Sequence, residues 1–164
     1  MPPGKHTRVL VGIILSLMLA MVLRILPLPR FWFELSPDWM ALLVLYWTLL
    51  APERFGLLTA WLVGLLADTL TGRLLGQQAL AYAVMAYLNL RARPRLLGLP
   101  LPLQCLWVLV LSLLGQMLIL WTQRVELAEG ATLIFWLPAF SGALAWPLVL
   151  WLMRGLRLGL ADRP

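Results

Sequence analysis

Residues 99–122 read LPLPLQCLWVLVLSLLGQMLILWT, from Leu99 to Thr122, with no charged side chain from end to end. A bilayer core of about 30 Å takes about 20 apolar residues of helix, so this stretch is long enough to cross it. The rest of the chain has the same character. Of its 164 residues 62% are hydrophobic and only 12% charged, far from the roughly 45–50% apolar and about 25% charged of soluble domains. A soluble globular domain is therefore excluded. A chain of this length holds at most about six or seven spans with short connections.

Working outward, six apolar runs are expected as spans, at about 9–26, 38–51, 55–70, 75–90, 99–122 and 131–153, in one transmembrane domain covering 1–164. They are separated by Pro52-Glu53-Arg54, Thr71-Gly72-Arg73, Arg91 to Arg95 and Gln123 to Gly130. The first run follows Lys5, His6 and Arg8, as a secretory signal would, but Arg24-Ile25-Leu26-Pro27 has no small-x-small cleavage pattern. An uncleaved first helix is the expectation. Leu26 to Pro37 is a proline-punctuated connection whose Phe31-Trp32-Phe33 suits a bilayer interface. The second to fourth runs reach only about 21–24 Å at 1.5 Å per residue, so they extend at their ends, thin the bilayer, or pack as partly re-entrant helices around a recess.

Placing the N-terminus inside puts Lys5, Arg8, Arg54, Arg91, Arg93, Arg95, Arg154, Arg157 and Arg163 on the cytoplasmic side. Arg24, Arg30, Arg73 and Arg124 then lie outside. Nine against four of the thirteen basic residues obeys the positive-inside rule and favours an even number of spans with both termini cytoplasmic. The net charge of +6 thus reports orientation, and no nucleic-acid partner is implied.

Gly56, Ala60, Gly64 and Asp68 recur at steps of four on one face of the third span, with Gly72 beyond its end and Gly76 following. Small residues at this spacing let a neighbouring backbone approach closely. Asp68 has two readings: a solvated helix-end carboxylate, or a buried partner for an outside arginine or polar anchor of a binding recess. Arg24 either snorkels to the outer surface or pairs with Asp38 or Asp68. Gln104, Ser112, Gln116 and Gln123 form a polar seam on the fifth span, suited to interhelical hydrogen bonds or to lining a substrate path. Pro147 lacks the N–H that a helix interior needs and crowds the carbonyl of Ala143, so a kink is expected there.

Of nine tryptophans, Trp32, Trp39, Trp121 and Trp136 are expected at one interface and Trp47 and Trp151 at the other, while Trp61, Trp107 and Trp146 fill helix crossings. Apart from Gln116, the middles of the spans carry almost no polar groups.

Catalytic chemistry finds little to work with. Ala139-Phe140-Ser141-Gly142 lacks the first glycine of an intramembrane Gly-x-Ser-Gly motif, and His6 is in the tail. Asp68 is alone within a span, so it cannot form an aspartyl dyad. No glycine-rich phosphate loop occurs. One histidine and one cysteine, Cys105, cannot build a zinc site or a disulfide. No catalytic residue, cofactor or metal is expected.

The stretch Pro37-Asp38-Trp39 through Tyr46-Trp47, then Ala51-Pro52, Gly64-Leu65-Leu66-Ala67-Asp68, Gly72 to Gly76 and Ala79-Leu80-Ala81-Tyr82 resembles the rod shape-determining protein MreD family. Order and spacing match as well as residues, and the similarity continues through Phe135-Trp136-Leu137, Ala145-Trp146-Pro147 and Leu152-Met153-Arg154. The resemblance implies a non-catalytic inner-membrane subunit of the bacterial elongation machinery. Its direct partner would be MreC, within a complex that includes MreB, RodA and a class B penicillin-binding transpeptidase. It also implies an architecture similar to the six-helix substrate-binding subunits of energy-coupling-factor vitamin transporters, which hold a small ligand in an outward-facing pocket. In that setting Pro37, Trp39, Tyr46, Trp47, Pro52, Asp68 and Arg24 are the candidate pocket or partner residues. A scaffold in contact with partner proteins and membrane lipid is the first expectation; a subunit binding or transporting a small molecule or lipid precursor is the second, and it would need a polar site at mid-depth.

Overall fold

The computed structural model describes residues 3–25, 29, 35–72, 75–122 and 133–161, with side chains described at 7, 9–25, 29, 35–72, 75–122 and 135–154. The aromatic run Phe31-Trp32-Phe33, residues Arg30, Arg73, Gln123 and Arg124, and the loop beyond Thr122 lie outside the described residues. Six α-helices and one 3₁₀ turn are present among the described residues: α1 Pro3–Ile25, α2 Trp39–Leu50, α3 Leu57–Thr71, α4 Gln77–Leu96, α5 Leu101–Thr122, the turn Leu133–Trp136, and α6 Leu137–Ala161. No strand occurs among them.

The helix most deeply buried is the shortest. In the 12-residue α2, Met40 through Leu49 are all buried, and the helix touches each of the other five. At 1.5 Å per residue it is only about 18 Å long. Asp38 starts it by accepting the Ala41 N–H at 3.3 Å, as an N-cap carboxylate does. Its far end leaves carbonyls unpaired, and the Arg93 side chain donates Nε–H to the Leu49 carbonyl at 2.7 Å. That contact explains why α4 continues past the expected boundary at 90 and through the arginines to Leu96. Arginine is a good helix former, so the charges end the apolar pattern without ending the helix.

Unlike in a water-soluble bundle, large apolar side chains face outward as well as inward. Leu10, Ile14, Leu58, Leu106, Leu144 and Trp151 face outward, while Ser16, Thr48, Asp68, Gln77, Gln78 and Asn89 are buried inside. Lipid is the solvent that suits such an exterior. Helix α5, and α6 as far as Arg154, are each long and apolar enough to cross a bilayer. Helix α6 runs unbroken through Pro147, with Trp146 buried beside it.

Helices α3 and α4 form the tightest pair. Ala60, Val63, Gly64, Ala67 and Asp68 make the buried stripe of α3, and Ala79, Tyr82 and Ala86 lie on the buried face of α4. A Cβ on Gly64 would overlap the Ala79 Cα and lie 2.7 Å from the Ala79 backbone N, so the two backbones touch there. The other glycines of the expected packing face act differently. A Cβ on Gly56 would meet only the Pro52 carbonyl oxygen, at 3.8 Å. Gly72 ends α3 at φ 62° and Gly76 precedes α4 at φ 104°, with nothing within 4 Å of an added Cβ at either. These two shape the turn through left-handed backbone that side-chain-bearing residues rarely adopt.

Candidate functional site

At the end of the bundle where α1 finishes and α2 begins, the packing opens into a recess of about 770 Å³. Its walls come from α1, the segment leading into α2, the first turn of α2, the end of α3, α4, α5, the 3₁₀ turn and the start of α6. Arg24, Asp38, Tyr82, Gln78 and Gln116 provide polar surface, and Leu42, Met85, Gly115, Ile119 and Pro138 provide apolar surface.

The polar centre joins three helices. Arg24 Nη1 lies 3.0 Å from Asp38 Oδ1, with the two side chains 19% and 32% exposed. Tyr82 donates its hydroxyl proton to Asp38 Oδ2 at 2.7 Å, and its oxygen lies 3.3 Å from Arg24 Nη1. Arg24 therefore points into the bundle and does not snorkel, because a carboxylate and a phenol meet it there. Asp38 has a donor from each of three sources: Arg24, Tyr82 and the Ala41 N–H. Gln116 also lines the recess, and its Oε1 is buried with no hydrogen-bond partner among the described residues. An unmatched buried carbonyl of this kind costs about 1–3 kcal/mol.

Asp68 does not belong to this centre. It is fully buried, which excludes the solvated helix-end reading, and its hydrogen-bond partners among the described residues are backbone groups; Arg73 lies outside those residues. Oδ2 accepts the Gly76 N–H at 2.8 Å and Oδ1 accepts the Gln78 N–H at 2.9 Å. Asp68 thus caps α4 from the last turn of α3. The N-cap residue Gly76 has no side chain with which to cap α4, and Asp68 takes that role from eight and ten residues away. Arg24 has no hydrogen bond or ion pair with it among the described residues.

Other candidate residues are dispersed. Pro37 and Trp39 line the recess. Tyr46 and Trp47 are buried on α2, their rings edge to face at 5.1 Å, and Pro52 lies in the turn after α2. Trp47 donates its indole N–H to Ser16 Oγ on α1 at 3.0 Å, so it ties helices together and is not an interfacial anchor. Trp61 is the converse: expected at a crossing, it is 41% exposed. Along α5 the polar residues separate. Ser112 and Gln116 line the recess, whereas Gln104 donates to the Leu99 carbonyl at 3.0 Å and accepts from the Trp146 indole at 3.5 Å.

A second polar centre lies toward the other ends of α2 and α4. Asn89 on α4 donates to the Leu45 carbonyl at 2.9 Å and to Thr48 Oγ1 at 2.8 Å, and it accepts the Trp107 indole N–H at 3.2 Å. One amide therefore joins α2, α4 and α5. Asn89 stands second from the end of the apolar run 75–90, beside the arginines, where a polar residue is unremarkable in the sequence. Tyr82 had a signal, one hydroxyl on an alanine-rich face.

This geometry can be set beside known proteins. A profile described as rod shape-determining protein MreD matches residues 5–158. The chain belongs to the MreD family. A curated MreD, the rod shape-determining protein of Haemophilus influenzae, is 32% identical over 142 residues, covering 85% of this chain and 86% of that relative. No solved structure matches. MreD proteins are membrane proteins that determine rod shape, in agreement with the apolar exterior and the two helices long and apolar enough to cross a bilayer. The recess, the Arg24–Asp38–Tyr82 centre and the Asp68 cap all fall within the matched residues.

Proposed function

We propose that this protein is a non-catalytic inner-membrane subunit of the bacterial cell-elongation machinery that binds MreC directly and helps maintain rod shape by organising peptidoglycan synthesis. The observation that carries this reading is the family match over residues 5–158. MreC would link it to MreB, RodA and a class B penicillin-binding transpeptidase. The interior polar groups fit a scaffold, since Asn89, Trp47, Asp68 and Arg93 all bond within the chain and hold helices to one another. A protein partner in lipid would meet the outward apolar faces, such as Leu10, Ile14 and Met18 on α1.

All six helices are proposed to form one bundle in the inner membrane, with both termini cytoplasmic and the recess facing the periplasm, as the nine-to-four division of Lys and Arg supports. The short α2 would then be enclosed by its neighbours, much as in the substrate-binding subunits of energy-coupling-factor transporters.

Crosslinking in cells followed by mild-detergent purification tests the partner. Recovery of MreC is the expected result, and its absence from crosslinked material would overturn direct binding. Clean deletion should round the cells, with rescue by the intact gene, and persistent rods would count against the shape-determining role. Reporter fusions test the topology, and a C-terminal fusion active only in the periplasm would refute it.

A further inference from the structure

We propose that the recess between α1, α2, α4, α5 and α6 is a binding site for a single amphiphile with an uncharged, hydroxylated head and one apolar chain. Its volume of about 770 Å³ lies within the range of about 300–1,000 Å³ typical of small-molecule sites. The class of ligand follows from which hydrogen-bonding capacity is already used. Asp38 is occupied by Arg24, Tyr82 and the Ala41 N–H, so it has little left to offer a ligand. Arg24 makes both of its contacts through Nη1, and among the described residues its Nε and Nη2 engage no acceptor. Gln116 brings an amide whose Oε1 has no donor. The open capacity is thus donors from Arg24 together with the Gln116 amide and the Ser36 and Ser112 hydroxyls, which also line the recess and make no side-chain hydrogen bond among the described residues, and a hydroxyl can answer all of these because it accepts and donates.

Charge selects against an ionic head. The Arg24 charge is balanced at 3.0 Å by Asp38, and the other polar lining groups, Ser36, Thr71, Gln78, Tyr82, Ser112 and Gln116, are neutral side chains. An anion would approach Asp38 and a cation would approach Arg24, and neither finds a free countercharge among the described lining residues. The apolar surface of Leu42, Met85, Gly115, Ile119 and Pro138 is suited to a hydrocarbon chain rather than to a second polar group.

The test uses the full chain in phosphatidylcholine nanodiscs, which avoids sugar detergents that would themselves fit the site. Native mass spectrometry would follow titration with a monoacylglycerol, a lysophosphatidic acid of the same chain length, and glycerol alone. One equivalent of the monoacylglycerol should be retained, with lysophosphatidic acid held at least about tenfold more weakly. Gln116→Leu removes the amide and should weaken retention about tenfold, the loss expected for one or two hydrogen bonds. Gly142→Val is the steric control. An added Cβ there meets Leu42, Pro37 and Ser112 only at 3.7–4.0 Å, so the side chain should be tolerated while projecting into the lining of the recess. It should reduce retention while the melting temperature stays near that of the parent. Equal retention of both lipids, retention insensitive to both substitutions, or glycerol binding as tightly as the monoacylglycerol would each overturn the proposal.

Discussion

Asp68 Oδ1 accepts the backbone N–H of Gln78 at 2.9 Å, which places a carboxylate of α3 at the first turn of α4. A buried carboxylate accepting backbone N–H groups needs no cation. Asp68→Asn retains one acceptor but turns an amide N–H toward backbone donors, and Asp68→Ala abandons the Gly76 and Gln78 N–H groups altogether. Losses of about 1–3 kcal/mol are expected, larger for Ala. Denaturant unfolding in detergent measures them. Because Asp68 and Arg24 share no partner, the double variant Asp68→Asn with Arg24→Gln should be additive within about 0.5 kcal/mol. Strong coupling would restore an ion-pair role for Asp68.

Gly64→Ala should separate α3 from α4, since the added Cβ meets Ala79 backbone that has no rotamer through which to yield. A cost of about 1–3 kcal/mol is expected, more for Gly64→Leu, with lower yield and loss of monodispersity on size exclusion. Gly56→Ala, which meets only the Pro52 carbonyl oxygen at 3.8 Å, should be close to neutral. Equal behaviour of the two variants would show that close approach at Gly64 is unimportant.

Arg24 and Asp38 are partly exposed, so their pair is expected to fall between surface and buried cases. Arg24→Gln or Asp38→Asn should each cost about 1–2 kcal/mol, and a double-mutant cycle should return a coupling near 1 kcal/mol. Tyr82→Phe should weaken that coupling, because the phenol bridges both charges. A coupling near zero would reduce the pair to a surface contact.

Asn89→Leu leaves the Thr48 hydroxyl and the Trp107 indole N–H without the amide that joins them, and about 1–3 kcal/mol of destabilisation is expected. The same unfolding assay reads it. Trp107→Phe in that background should recover part of the loss by removing the orphaned donor.

Two tryptophans separate interior from exterior. Trp146, 2% exposed, should cost about 3 kcal/mol or more when truncated to Ala, while Trp61, 41% exposed, should cost well under that. Comparable losses would contradict the assignment of faces.

Much was decided by the linear order of residues alone. An apolar composition with short polar breaks allows little besides helices in lipid, because the unsatisfied backbone of any open structure would be too costly there. The same order carried the family, through joint spacing from Pro37 to Tyr82, and it marked Arg24 and Asp68 as charges needing an explanation. Which groups answer those charges was a matter of three dimensions. Asp38 lies 14 residues from Arg24, and Tyr82 lies 44 from Asp38; helical periodicity orders residues around one axis and says nothing about which helix stands opposite. For that reason Asp68 was left open between a solvated helix end and a buried partner or polar anchor, when its partners among the described residues are N–H groups that every residue but proline possesses. Gly72 and Gly76 read as packing surface when their role is a backbone angle, and Trp47 and Trp61 exchanged inside for outside. Hydropathy measures how well a side chain tolerates lipid. In a membrane both the core and the exterior tolerate it, so only the packed bundle distinguishes one from the other.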